Sequence, residues 1–195
     1  GFSALVAAGV FVVSGVAGID LEYLEQAKTS MKNLMPTIGT TFLSGLPIGE
    51  LKPVLSSLPE NSVIIMLLQE LDRNGRLIRV IDVLNGTRET ANAPIFSPVA
   101  SLFPEGVVGG SFTDIEVAGS LAAEMAFSLL AGRGADAPLL GRATTYRFDQ
   151  NQLRRWGIDE TLLPADSIIE NQQVTFLELY GLQLLILLAV VSVLL

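Results

Sequence analysis

Two hydrophobic rhythms alternate along this chain. Residues 10–14 (VFVVS), closed by Gly15, and residues 63–68 (VIIMLL) are short runs, apolar on both faces. That is the pattern of parallel strands covered by helices on either side. Weaker strand signals follow at residues 37–43, rich in Thr, at 95–97 after Pro94, at 106–110 between glycines, and at 144–148. Between them the spacing turns helical. Leu21, Leu24, Met31 and Leu34 share one face of a helix that Asp20 would cap and Pro36 would end. Ile48, Leu51, Leu55 and Leu58 make a second stripe behind Pro47, with Pro53 expected to kink or restart it. A third helix is expected over residues 77–84, broken at Asn85-Gly86 and resuming to Asn92. Thr113 and Glu116 have the spacing of a capping box, opening a helix to about Leu130 with Ala118, Leu121, Met125 and Leu129 facing inward. Asp149 caps a short helix over residues 150–156, stopped by Gly157.

Strand–helix alternation over most of the length predicts an α/β fold built on a parallel sheet. Composition narrows the chemistry. The chain of 195 residues has 12 basic and 20 acidic residues, a formal charge of −8, and neither Cys nor His. The acidic balance argues against nucleic acid, whose phosphates need basic patches. Without Cys or His there are no thiol nucleophiles, no Ser-His triads, no disulfides and none of the common zinc or haem sites. No catalytic constellation emerges from the remaining Asp, Glu, Ser, Lys and Tyr, and no metal or cofactor is expected.

In an open α/β sheet, ligands bind at the carboxyl ends of the strands. That rule selects Ser14 and Gly15, Gln69, Glu70 and Asp72, Ser97, and Ser111 with Asp114 as candidate ligand-binding residues. Turn and cap roles would account for any one of them singly. Glu70 and Asp72 could form a carboxylate pair or simply be solvated at a strand end. Gly15-Val16-Ala17-Gly18 precedes a helix whose N-terminus could hold an anion. The glycines of residues 106–110 lack the Lys and Ser/Thr of a phosphate loop. Trp156 beside Arg154 and Arg155 could stack a ligand, but a small satellite core under the last helix explains it as well.

The two ends read differently from the middle. Residues 2–18 could pass for the apolar part of a signal peptide, but lack a basic flank; a helix remnant followed by a strand is the competing reading. Residues 179–195 carry no charge, and a spanning helix needs about 20 apolar residues. From Gly157 onward there are acids but no Lys or Arg, which fits a non-cytoplasmic flank, and Phe176 and Tyr180 suit an interfacial belt. The organisation expected is an α/β region over 1–157, a juxtamembrane linker over 158–175, and the start of a transmembrane helix over 176–195.

The stretch from Tyr146 through Arg154-Arg155-Trp156-Gly157-Ile158, then Leu162-Leu163-Pro164, an acidic segment, Tyr180 and an apolar run resembles the juncture of bacterial sensor histidine kinases. In these a periplasmic sensor related to ABC-transporter substrate-binding proteins feeds a membrane helix. Residues 92–96, 106–110, 12–15, 58–63 and the Gly119 helix ending in Leu130-Ala131-Gly132 carry the same resemblance. It implies a two-lobed, type I periplasmic-binding fold with ligand between the lobes. This chain would hold the second lobe, residues 10–72, and strands returning to the first from about Ile95. It further implies an extracytoplasmic sensor in the bacterial inner membrane, non-enzymatic in itself, signalling through its membrane helix to a kinase. Its partners would be a small molecule or a ligand-loaded binding protein, and the bilayer through residues 176–195; a homodimer is compatible with all of this. The rival readings are a membrane-tethered substrate-binding protein of an ABC transporter and a doubly wound enzyme with an apolar C-terminal helix.

Overall fold

The computed structural model describes residues 9–34, 36–134 and 143–172. In order these form β1 (Gly9–Ser14), α1 (Gly18–Leu34), β2 (Thr40–Ser44), α2 (Ile48–Leu55), β3 (Ser62–Met66), α3 (Val80–Thr87) and β4 (Ile95–Phe96). A 3-10 segment (Ala100–Glu105), β5 (Gly109–Thr113), α4 (Ile115–Leu130), β6 (Thr144–Asp149), α5 (Gln150–Trp156), a second 3-10 turn (Glu160–Leu162) and β7 (Ile168–Glu170) follow. The strands make one seven-stranded sheet in the order β2-β1-β3-β4-β5-β6-β7. All neighbours are parallel except β5 and β6. The expected α/β class with a largely parallel sheet is therefore observed. The strands that the resemblance divided between two lobes instead share this sheet, because β3 pairs directly with β4, Ile64 opposite Ile95.

Alternation along the strands sends side chains to both faces. Val13, Ile64, Met66 and Ile95 join Leu51 and Leu55 of α2 and Val83 and Leu84 of α3 in the main core. Val10, Val12 and Leu67 face the other way, onto Leu24 of α1. Further along that second face, Val108 and Phe148 bury against Leu153 of α5, with Phe96 and Trp156 packed around them. Each fully buried Leu or Ile contributes about 1.5–3 kcal/mol. Trp156 belongs to this satellite core, with Arg155 against its ring at 5.1 Å.

Several local expectations shift. Of the α1 stripe only Leu24 is buried; Leu21 and Leu34 are exposed. α2 runs unbroken through Pro53, which cannot donate the backbone bond that its position would otherwise make to the preceding turn. Ser56 and Ser57 donate their hydroxyls to the Pro53 carbonyl just beyond. α3 starts later than predicted and runs through Gly86, where a Cβ would stand 2.9 Å from Ile48 Cγ2; the glycine lets α2 and α3 approach. The strand expected over 106–110 is Gly109–Thr113, with Gly106 left-handed at φ 96° ending the preceding 3-10 segment. Thr113 is the last strand residue, and Asp114 rather than Thr113 caps α4, accepting from Glu116 N and Val117 N.

Part of the stretch read as a linker is sheet. Ile168–Glu170 pairs with β6, fastened by the Arg147–Glu170 ion pair. Asp159 caps the second 3-10 turn, and the Thr161 N–H and hydroxyl hold its carboxyl below the usual range. The membrane expectation concerns residues outside those described; among the described residues no helix is long and apolar enough to cross a membrane.

Close packing of β4 on β5 gives a first prediction. A Cβ at Gly110 would meet the Ser97 carbonyl oxygen at 2.0 Å. Gly110→Ala should therefore pry the two strands apart and lower unfolding stability by about 2–3 kcal/mol, read by urea denaturation.

Candidate functional site

Because β1, β3, β4 and β5 are parallel, their carboxyl ends open on one edge of the sheet. Ser14 ends β1 and is buried; its hydroxyl meets the Ser44 hydroxyl of β2 at 2.8 Å. The next residues are stitched across to the loop after β3: Gly15 N donates to Leu68 O and Val16 N to Leu71 O. Ser97, just past β4, donates its hydroxyl to Met66 O at 2.7 Å and accepts from Val99 N at 3.0 Å. Thus Ser14, Gly15, Gln69, Glu70 and Ser97 do gather on one edge, with much of their polar capacity spent on holding the loops together.

The other predicted residues separate from this group. Asp72 is buried but turned into its own loop, where its Oδ1 accepts from Asn74 N and Arg76 N, both at 2.9 Å. It therefore does not act with Glu70, which is exposed, as a carboxylate pair. Among the described residues no group of three or more potential ligands could hold a metal. β5 overshoots β4, whose last paired residue, Phe96, lies opposite Gly109. Ser111 therefore stands beyond the edge, exposed and paired with Tyr146 of β6, while the Asp114 carboxylate is occupied as the α4 cap.

Asp20 organises the edge in a way the sequence reading assigned to a simple cap. It is the third residue of α1 and wholly buried. Its carboxylate reaches back to Ala17 N at 2.9 Å and across to Glu70 N at 3.0 Å, with Leu71 N at 3.4 Å. The backward bond is one half of a capping box. The forward bonds clamp the loop after β3 onto the start of α1. Gly15 is small for this reason: a Cβ there would lie 2.0 Å from Asp20 Oδ2. The same carboxylate fills the helix N-terminus at residues 15–18, so the anion site considered there is occupied from within.

Gln69 is the exception to this saturation. It lies in the loop that Asp20 clamps, only 2 % exposed, and its Nε2 is buried with no hydrogen-bond partner. A buried amide nitrogen without an acceptor costs about 1–3 kcal/mol, and such a group calls for a specific reason.

Similarity to solved structures agrees with the architecture. A substrate-binding protein with adhesive properties from Clostridium difficile, in its ligand-free, open structure, aligns with TM-score 0.64 and 15% identity, over 86% of this chain and 55% of its own. The ABC domain from Streptococcus pneumonia in complex with L-Trp aligns with TM-score 0.54 and 13% identity, over 83% of this chain and 54% of its own. A conserved domain protein from Vibrio cholerae gives TM-score 0.54 and 18% identity, over 83% and 54%. The chain thus spans little more than half the length of these proteins and shares the substrate-binding-protein-like fold. No family model and no curated protein matches it.

Proposed function

We propose that this chain is the ligand-sensing region of a membrane-anchored bacterial receptor, holding a small molecule between the carboxyl edge of its sheet and the other lobe of a two-lobed fold. The observation that carries the reading is the unpartnered, buried Gln69 amide at that edge, on a fold similar to substrate-binding proteins. The region acts by binding and not by chemistry. Ligand closes the lobes, and the differential affinity for closed over open sets how far the signal shifts. The uncharged run at residues 179–195 supports a membrane helix leading to a histidine kinase, with this region on the periplasmic side of the inner membrane.

The second reading, a membrane-tethered substrate-binding protein of an ABC transporter, draws on the same likeness. A phosphotransfer assay on the gene's whole product in membrane vesicles separates the two. Autophosphorylation that changes with added small molecules supports the receptor. A product that sediments with membranes, binds ligand and carries no phosphotransfer activity supports the tether instead.

A further inference from the structure

Two Asn-Gly pairs occur in this chain, Asn74-Gly75 and Asn85-Gly86, and the fold sets them in opposite surroundings. Asn is chemically labile before Gly, because the next backbone nitrogen can close on the side-chain amide carbon and Gly has no Cβ to hinder it. Asn74 and Gly75 are exposed at the tip of the loop after β3, with Gly75 left-handed at φ 76°. The loop folds back on itself: Asp72 N donates to Arg76 O at 3.0 Å, Ile78 N donates to Glu70 O at 3.0 Å, and Leu71 bridges Leu77. The Gly75 nitrogen donates to Asp72 O at 3.0 Å. At an exposed tip such a bond opens locally with little loss of structure. Asn85-Gly86 lies inside α3 instead, between the buried Leu84 and Thr87. A Cβ on Gly86 would meet Ile48 Cγ2 at 2.9 Å, so freeing its nitrogen for attack means unwinding α3 where it packs on α2.

We infer that Asn74 is a site of spontaneous deamidation in the folded protein, and that its isoaspartyl product loosens the loop that carries Gln69. The Gly75 nitrogen attacks Asn74 Cγ, the bond from Cγ to the side-chain nitrogen breaks, and that nitrogen leaves as ammonia with the proton Gly75 gives up. Water then opens the resulting succinimide at either carbonyl. One product is aspartate; the other is isoaspartate, whose main chain runs through Cγ. Nothing is oxidised or reduced. Isoaspartate puts one more main-chain atom between the Asn74 Cα and the Gly75 nitrogen. That spacing matters here, because Asp72 Oδ1 accepts from Asn74 N and Arg76 N together, both at 2.9 Å. Lengthening the chain between the two donors draws at least one of them away from the Asp72 carboxylate, which is buried and poorly tolerates the loss. Ordinary aspartate at this position brings the new negative charge without the extra atom.

Peptide mapping by mass spectrometry tests this on the whole gene product, incubated at mildly alkaline pH either folded or unfolded in guanidinium. In the folded protein the peptide containing Asn74 should gain the mass that turns an amide into a carboxyl, and its isoaspartyl fraction should accept a methyl group from an isoaspartyl methyltransferase. Asn85 should react about 100-fold more slowly than Asn74 in the folded protein, and at a similar rate once unfolded. Hydrogen exchange reads the consequence: the Arg76 and Ile78 amides should exchange roughly ten-fold faster in the isoaspartyl form and keep their protection in Asn74→Asp. Asn74 left intact in the folded protein, under conditions that convert it in the unfolded one, overturns the site. Equal rates at Asn74 and Asn85 in the folded protein overturn the selection by the fold. Unchanged exchange in the isoaspartyl form, or an equal loss in Asn74→Asp, overturns the part given to the added main-chain atom. None of these readouts involves a ligand, so they are independent of the receptor reading.

Discussion

Asp20→Ala should be the most damaging single change in the domain, lowering unfolding stability by about 4 kcal/mol, or roughly 10 °C in melting temperature. The carboxylate is wholly buried, and its oxygens receive the N–H groups of Ala17, Glu70 and Leu71. Hydrogen bonds to a charged acceptor contribute about 1.5–3 kcal/mol each, and their removal strands the donors as well. Asp20→Asn keeps the shape but turns one acceptor oxygen into a donor facing those N–H groups, so it should recover only part of the loss. Urea denaturation of the three proteins checks the order. A loss under about 1 kcal/mol for Asp20→Ala would mean that the loop after β3 is held by its other contacts.

Gln69→Leu should do the opposite to stability and the worst to ligand binding. Leu matches the volume closely and removes the buried nitrogen that lacks a partner, so the free protein should gain about 1 kcal/mol. If the nitrogen exists to donate to a ligand, the same change should weaken binding about ten-fold or more. A residue that only fills space would show the first effect without the second. Paired thermal melts, with and without ligand, separate the two outcomes. Such opposition of stability and function is what strain kept at a working site produces.

How legible this was depends on how far apart the interacting residues lie in sequence. The central strands announced themselves, because β-branched runs apolar on both faces fit few environments other than a covered parallel sheet. The carboxyl-edge rule then placed Ser14, Gln69 and Ser97 together without coordinates. Asp20 reads from sequence as a simple cap because its Ala17 bond is local, whereas its bonds to Glu70 and Leu71 cross from α1 to the loop after β3. Thr113 and Asp114 are both good caps, and only the strand pairing of Thr113 with Thr144 decides between them. β7 hid in a polar acidic stretch because a three-residue edge strand needs little hydrophobic pattern; Arg147 and Glu170 supply its fastening instead. α4 misled for the reverse reason. Its apolar periodicity predicts a buried face, yet no residue of α4 is buried.

The proposed seat of a small molecule is the carboxyl edge of the sheet. The most direct measurement is an amide chemical-shift map of the whole gene product titrated with amino acids, L-Trp among them, and other small polar metabolites. Binding is predicted to move the resonances of residues 14–16, 69–71 and 97–99 together, and Gln69→Leu to suppress those shifts. Saturable shifts confined to other parts of the sheet or to the outer face of α1, with these loops silent, would contradict it.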